Sequence, residues 1–419
     1  MDYLSEFRGN LRPLAAAGVG IGTGTALFAY SASVFVPHLV KEFNWSRAEF
    51  ALVGMTILAA LLIAPVAGRL TDRLGVFPMA VAGVFLLPLC LAAFAFQQGE
   101  VWHYLVIALG VQVAGCLTSG LIYTRLVAER FHKATGLALT VVNCTPALLA
   151  MGTVPALNWF IESHGWRSGY LAVAAFTFLG GLTALWLIPP RAGVPAQTFP
   201  ANGTSDSTAT KPARTQARTP ASRQDYRRIF GSKVFWIIFA GMFLCLLQTP
   251  LHAAQMNLML VENGITAQTA ANIVTVYAFG TLVGRLACGV ALDRFPTPVV
   301  TAVSMALPAI GFFLLGTDWN TVRVIAFSMF LVGLSVGAES DLNPYLVARY
   351  FKLPIYNTTL GLVFLVNYLA AAVGALGISV TLKAAGNYTP FLFAVSLATA
   401  VGGLLFLLMP WRRHAEKVG

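Results

Sequence analysis

Arg285 stands alone in an apolar stretch, AFGTLVGRLACGVALDR, in which the next charged residue is Asp293. At about 1.5 Å rise per residue, a helix would place its guanidinium roughly 12 Å from Asp293, near the middle of a hydrocarbon layer about 30 Å thick. A cation at that depth costs on the order of 3 kcal/mol and persists where it lines a cavity or meets a counter-charge. The guanidinium stays charged and can hold a carboxylate through two parallel hydrogen bonds, so an organic anion is the ligand it suits. A permanent ion pair with a neighbouring helix is the alternative reading.

Two acids could answer it. Asp341 precedes Arg349 by the same spacing as Arg285 precedes Asp293, so it should lie at a similar depth, and Glu339 is close by. Two residues apart on a helix, they face nearly opposite sides. Ser335, Glu339 and Asn343 recur every four residues as a polar stripe, while Asp341 shares its side with Gly337 and Tyr345, so spacing alone leaves open which acid faces a cavity. A buried carboxylate beside an arginine can take a proton when the anion leaves and lose it when the ion pair reforms, which would couple proton to anion. Asn143 and Asn367 are amides midway along apolar segments and read as ligand contacts or as interhelical bridges. Tyr30 is a candidate cavity wall residue. His252, with Gln248 and Gln255 beside Pro250, is a candidate gating or binding group. Arg125 and Glu129, four apart, should pair with each other or with Asp72.

The elements that must position these groups are membrane spans. Of the 419 residues, 57% are hydrophobic and 10% charged, too little polar surface to cover a soluble chain of this size. Twelve segments long enough to cross a bilayer centre near Phe28, Leu58, Leu86, Gly115, Cys144, Leu179, Leu247, Gly280, Leu307, Val336, Leu365 and Leu397. The net charge of +11 does not mark a nucleic-acid binder, because its basic residues sit between apolar segments and form no patch. Cys90, Cys116, Cys144, Cys245 and Cys288 show no metal-ligand spacing, and no metal or cofactor is expected. The acidic N-terminus, MDYLSEFRGNLRP, argues against a cleaved signal. Most of the 27 Lys and Arg residues fall on the side that holds both termini, which predicts cytoplasmic termini.

Residues 190–232, rich in Thr, Ala, Pro, Ser and basic side chains, read as a cytoplasmic linker with a short surface helix near Gln224–Phe230. They separate an N-terminal six-helix bundle (1–189) from a C-terminal one (233–419). The halves resemble each other. GRLTDR (Gly68–Arg73) after the second span matches GVALDR (Gly289–Arg294) after the eighth, and LVAERFHK from Leu126 matches LVARYFKL from Leu346 at almost the same separation. Parallel repeats of this kind enclose a substrate path between them. The expected fold is therefore all-α: twelve transmembrane helices in two pseudo-symmetric six-helix bundles.

At these residues the chain resembles the major facilitator superfamily, since GRLTDRLG is similar to its loop motif G-x-x-x-D-R-x-G. Three further stretches, YSASVFVPHLVKEFNWSRAEF, HGWRSGY and FGTLVGRLACGVALDR, resemble its bacterial monocarboxylate and oxalate/formate branch. The resemblance implies that Gly68, Asp72, Arg73, Asp293 and Arg294 brace helix ends and set conformational states. It also implies that the span-eight arginine binds substrate carboxylate and that Tyr123, in span four, contacts substrate. Because the Glu339 stripe corresponds to Ser119 and Tyr123 in the internal repeat, the resemblance makes Glu339 the cavity-side carboxylate and Asp341 a helix-packing partner. Thr281 stands where many members have an acid or amide one turn before that arginine.

The expected function is secondary transport of a small organic anion, most simply a monocarboxylate because one arginine dominates. Alternating access of the two halves would drive it by proton symport or anion exchange. No phosphate-binding loop, nucleophile–base set or metal cluster is present, so neither ATP hydrolysis nor enzymatic activity is expected. Expected partners are the anion, a co-transported proton and the lipid bilayer, with a monomer functioning in the inner (plasma) membrane. Efflux of a hydrophobic compound, or sensing of an organic acid without transport, are the alternatives.

Overall fold

Hydrocarbon offers no hydrogen bonds, so a chain this apolar must satisfy its backbone internally, and helices do so within each segment. The computed structural model describes residues 3–43, 57–189, 223–251, 259–260, 265–317 and 321–411, and the regular elements among them are helices. The first half contains α1 (Tyr3–Gly9), α2 (Leu11–Gly22), α3 (Thr25–Phe43), α4 (Ile57–Leu74), α5 (Val76–Ala93), α6 (Val101–Leu117), α7 (Gly120–Arg130), α8 (Thr135–His164) and α9 (Trp166–Leu187). After the short α10 (Arg223–Phe230), the second half contains α11 (Lys233–Leu246), α12 (Ala267–Arg294), α13 (Thr297–Gly316), α14 (Val322–Tyr350), α15 (Tyr356–Ala385) and α16 (Thr389–Leu405).

Ten stretches among the described residues are long and apolar enough to cross a membrane. The shorter apolar helix α11 and the helix α4, which carries Arg69, Asp72 and Arg73 in its last turns, complete the twelve-span fold. Large apolar side chains such as Leu62, Phe85, Leu89, Trp102, Leu179, Trp186, Leu397 and Leu404 point outward. In water they would be an aggregation surface; in a bilayer they meet lipid.

Two spans are broken, and the breaks touch. The first span, Leu11–Ala32, is interrupted at Thr23–Gly24, and the fourth, Val101–Arg130, at Thr118–Ser119. Ser119 restarts the helix by accepting the Leu121 N–H at 3.2 Å. Thr118 Oγ1 accepts the Thr25 N–H at 3.3 Å. A Cβ on Gly24 would lie 2.3 Å from the Thr118 carbonyl oxygen, so the crossing requires glycine there.

A second close approach joins α12 to α14, the pair that carries Arg285 and both acids. Gly280 and Gly284 face the backbone at Phe330 and Leu334, while Gly333 and Gly337 face the backbone at Tyr277 and Thr281. Glycine at four-residue spacing on both helices removes the side chains that would hold the backbones apart.

On the face away from the N-terminal helix, α3 runs past the apolar stretch and ends beside the start of α9. Trp166 Nε1 donates to Glu42 there, Arg167 Nη1 donates to Glu42 at 2.7 Å, and Arg167 covers the Trp166 ring at 4.3 Å. The Trp166 indole N–H and then Arg167 hold the Glu42 carboxyl below its ordinary range against partial desolvation.

Two outcomes follow from this packing. Gly337→Ala should lower stability by about 2 kcal/mol, because the new Cβ would lie 2.0 Å from a backbone oxygen. Gly152→Ala, whose Cβ would meet nothing within 4 Å, should not, and thermal melting in detergent compares them. A carboxyl depressed in the folded state stabilises at neutral pH and loses that contribution as pH falls through the carboxylate range. Glu42→Gln should therefore flatten the acid limb of the melting-temperature profile.

Candidate functional site

The first halves of the long helices, on the face that carries α1, are drawn tightly together. Asp72, at the end of α4, accepts the Asn357 N–H at 3.1 Å and the Thr358 N–H and hydroxyl, both at 2.6 Å. These are the opening groups of α15, whose unpaired N–H groups and positive dipole end favour a carboxylate. Arg125 completes the set, binding Asp72 and Glu129 at 2.7 Å each, so it takes both of its expected partners at once. Across the pseudo-twofold, Asp293 at the end of α12 accepts the Gly136 and Leu137 N–H groups of α8 at 2.8 and 3.0 Å. Gly68 presses on the Asn357 carbonyl, where a Cβ would lie 2.1 Å away. Arg73 and Arg294 are exposed on this face. Glu6 of α1 adds a brace the sequence did not reveal, accepting the N–H groups of His132, Lys133 and Ala134 just before α8.

Deeper between the halves lies Arg285. Its Nη2 donates to Ser340 Oγ at 3.0 Å within the α12–α14 pair, and its Nη1 donates across the halves to the Asn143 main-chain oxygen. Nε is buried with no hydrogen-bond partner. The ion pairs among the described residues are Arg125 with Asp72 and Glu129, Arg167 with Glu42, and Arg228 with Asp225; Arg285 joins none of them. Glu339 and Asp341 lie within electrostatic reach of it, but each carboxylate is turned to other partners.

Asp341, 0% exposed, accepts Thr140 Oγ1 at 2.6 Å and Asn143 Nδ2 at 2.7 Å, both from α8 of the other half. Glu339 turns the opposite way and accepts Asn367 Nδ2 of α15 at 3.3 Å, with Tyr277 and Tyr368 in its field. The two amides picked from sequence therefore each serve one of the two acids. The internal repeat and the resemblance gave Asp341 a helix-packing role without naming the helix; its partners, Thr140 and Asn143, belong to the other half.

Tyr30 of α3 is half exposed and in electrostatic contact with Tyr277. Tyr123 is fully buried inside the N-terminal bundle against Gly20, its hydroxyl without a partner, and does not join the group around Arg285. His252 lies outside the described residues. Thr140, Ser340 and Cys144, whose thiol also contacts Arg285, belong to the site and were missed. The signal for one of them was legible, since Gly136, Thr140 and Asn143 share one helical face.

Asp72→Ala leaves Arg125 with one carboxylate and four donors without their acceptor. The closed face should lose about 3 kcal/mol, the cost of breaking a buried charged pair. Hydrogen exchange at the Asn357 and Thr358 amides should accelerate accordingly.

The sequence matches the family described as Major Facilitator Superfamily over residues 18–258 and 239–419. It is 28% identical over 347 residues to the gallate transporter of Pseudomonas putida, covering 75% of this chain and 73% of that protein. It is 23% identical to the 4-hydroxybenzoate transporter PcaK of Pseudomonas aeruginosa, covering 94% and 90%. Among solved structures, the transporter FucP in its outward conformation superposes with a TM-score of 0.71 at 16% identity, covering 96% of this chain and 98% of that one.

Proposed function

The chain belongs to the Major Facilitator Superfamily, and from that premise we propose that it carries a small organic monocarboxylate across the membrane by alternating access. The reading makes it a secondary transporter and not an enzyme. The observation that carries it is Arg285: a mid-helix guanidinium between the two halves, held by a main-chain oxygen and a hydroxyl but by no carboxylate among the described residues. An incoming carboxylate supplies the missing charge and can take the Nη1 hydrogen bond from Asn143.

In this proposal the halves 1–189 and 233–419 rock about the site, joined through 190–232. The Asp72 and Asp293 clusters, with Gly68, Arg73 and Arg294, close one face. That face is cytoplasmic, both termini lie on it, and the protein works as a monomer in the inner membrane. Arg285, Asn143, Asn367 and Tyr30 line the path, and Tyr123 backs the N-terminal wall. Glu339 and Asp341 are the two acids available to couple a proton. Hydroxylated aromatic acids are the first substrates to test, because relatives are named for gallate and 4-hydroxybenzoate and because Tyr277 and Tyr368 lie near Glu339, with Tyr30 near Tyr277.

Purified protein should be stabilised against heat by at least one of gallate, 4-hydroxybenzoate, benzoate or lactate. Arg285→Ala should weaken that acid by about 3 kcal/mol, on the order of a hundredfold in Kd. Equal stabilisation of wild type and variant would remove the anion-carrier reading.

A further inference from the structure

One face of α8 fastens the halves together from the membrane surface to the guanidinium. Gly136 and Leu137 give their N–H groups to Asp293, Thr140 gives its hydroxyl to Asp341, and Asn143 gives its amide to Asp341 while its carbonyl accepts from Arg285. Thr140 Oγ1 also lies 3.3 Å from the Arg285 main-chain oxygen. Opening this face must draw α8 away from α12 and α14, and it strips Asp341 of both donors in one step.

Four carboxylates stand near the parting surfaces, and their situations differ. Asp72 keeps Arg125 from its own half, so it remains neutralised when α15 leaves. Asp293 is only half-buried at the rim, where water replaces the lost N–H groups. Glu339 takes its amide donor, Asn367, from its own half, so parting the halves leaves that bond intact. Asp341 alone combines full burial with hydrogen bonds that come entirely from the other half. Until water reaches it, a charged carboxylate stripped of both donors in a fully buried site is strongly disfavoured, so its charge must be cancelled before the seam can part.

The groups whose charge reaches Asp341 are Arg285 and Cys288 from α12 and Cys144 from α8, while Glu339 on its own helix projects to the opposite side. Arg285 is the one cation among them, and it is not paired with Asp341 in the closed arrangement.

We propose that Asp341 is the lock that makes anion movement conditional on a proton: the seam between α8 and the α12–α14 pair parts only when Asp341 is neutralised, by Arg285 in the empty protein or by a proton when an anion occupies Arg285. The proposal rests on the anion-carrier reading above and assigns its coupling step to one residue. With an anion alone, Arg285 is engaged, Asp341 stays charged and the seam holds. With an anion and a proton, the carboxyl is neutral and the seam parts; the proton leaves Asp341 when the departing anion returns Arg285 to it. Empty protein isomerises through the Arg285–Asp341 pair. These three rules describe obligatory symport, because each ligand acts by favouring one of two states.

The test uses full-length protein in liposomes with radiolabelled 4-hydroxybenzoate, or whichever of the four acids stabilises wild type. Asp341→Asn should lose accumulation driven by an inward proton gradient, and the accompanying internal acidification, while counterflow at equal pH persists. Glu339→Gln, whatever its rate, should keep its dependence on the gradient. Thr140→Val leaves the carboxylate in place and removes one donor; its downhill flux should persist at alkaline pH where wild-type flux falls. Proton-driven accumulation in Asp341→Asn, loss of gradient dependence in Glu339→Gln, or a wild-type pH profile in Thr140→Val would overturn the lock. So would a wild type that moves the acid without responding to the gradient. A wild type that neither binds nor moves any of the four acids instead overturns the carrier reading itself.

Discussion

A guanidinium cannot be left bare in hydrocarbon, and the architecture around Arg285 answers that constraint. Its nitrogens reach a hydroxyl on the adjacent helix and a main-chain oxygen on the opposite half. Both are neutral acceptors that hold the cation without cancelling its charge. The acids that could cancel it are close enough to be felt, but amides and a hydroxyl hold them elsewhere. The arrangement leaves the guanidinium without a carboxylate partner among the described residues, and a small anion is a species that can supply one.

Holding that arrangement depends on backbones meeting without side chains between them. The glycines on α12 and α14 let the two helices lie close enough for Arg285 to reach Ser340. The same device recurs where the broken first and fourth spans cross, with Gly24 against Thr118. In lipid, apolar side chains gain little from exchanging lipid tails for one another, so association relies on close van der Waals contact and interhelical hydrogen bonds. Both occur together at these crossings.

The internal repeat places a carboxylate at the end of the second and eighth spans and directs each to the first turn of a helix in the opposite half. Two bundles that each offer a carboxylate and a helix start can close on each other twice, about one axis. The closure is not uniform with depth. Asp72 keeps an arginine from its own half and Asp293 is partly exposed, whereas Asp341 is fully buried and is hydrogen-bonded only by the other half.

The sequence by itself determined the helical membrane fold and its twelve spans. Hydropathy and helical rise are properties of consecutive residues, so they can be read along the chain. It also identified Asn143 and Asn367 as notable, and Arg125 with Glu129 as a pair, because spacing on one helix is local information. Only the tertiary structure decided that Asp341 faces the other half while Glu339 faces its own, that Tyr123 turns into its bundle, and that Thr140 and Ser340 complete the site. A helix shows its faces in its sequence, but which neighbour each face meets depends on how the helices cross. That is fixed by packing between residues 28 to 201 positions apart in the chain.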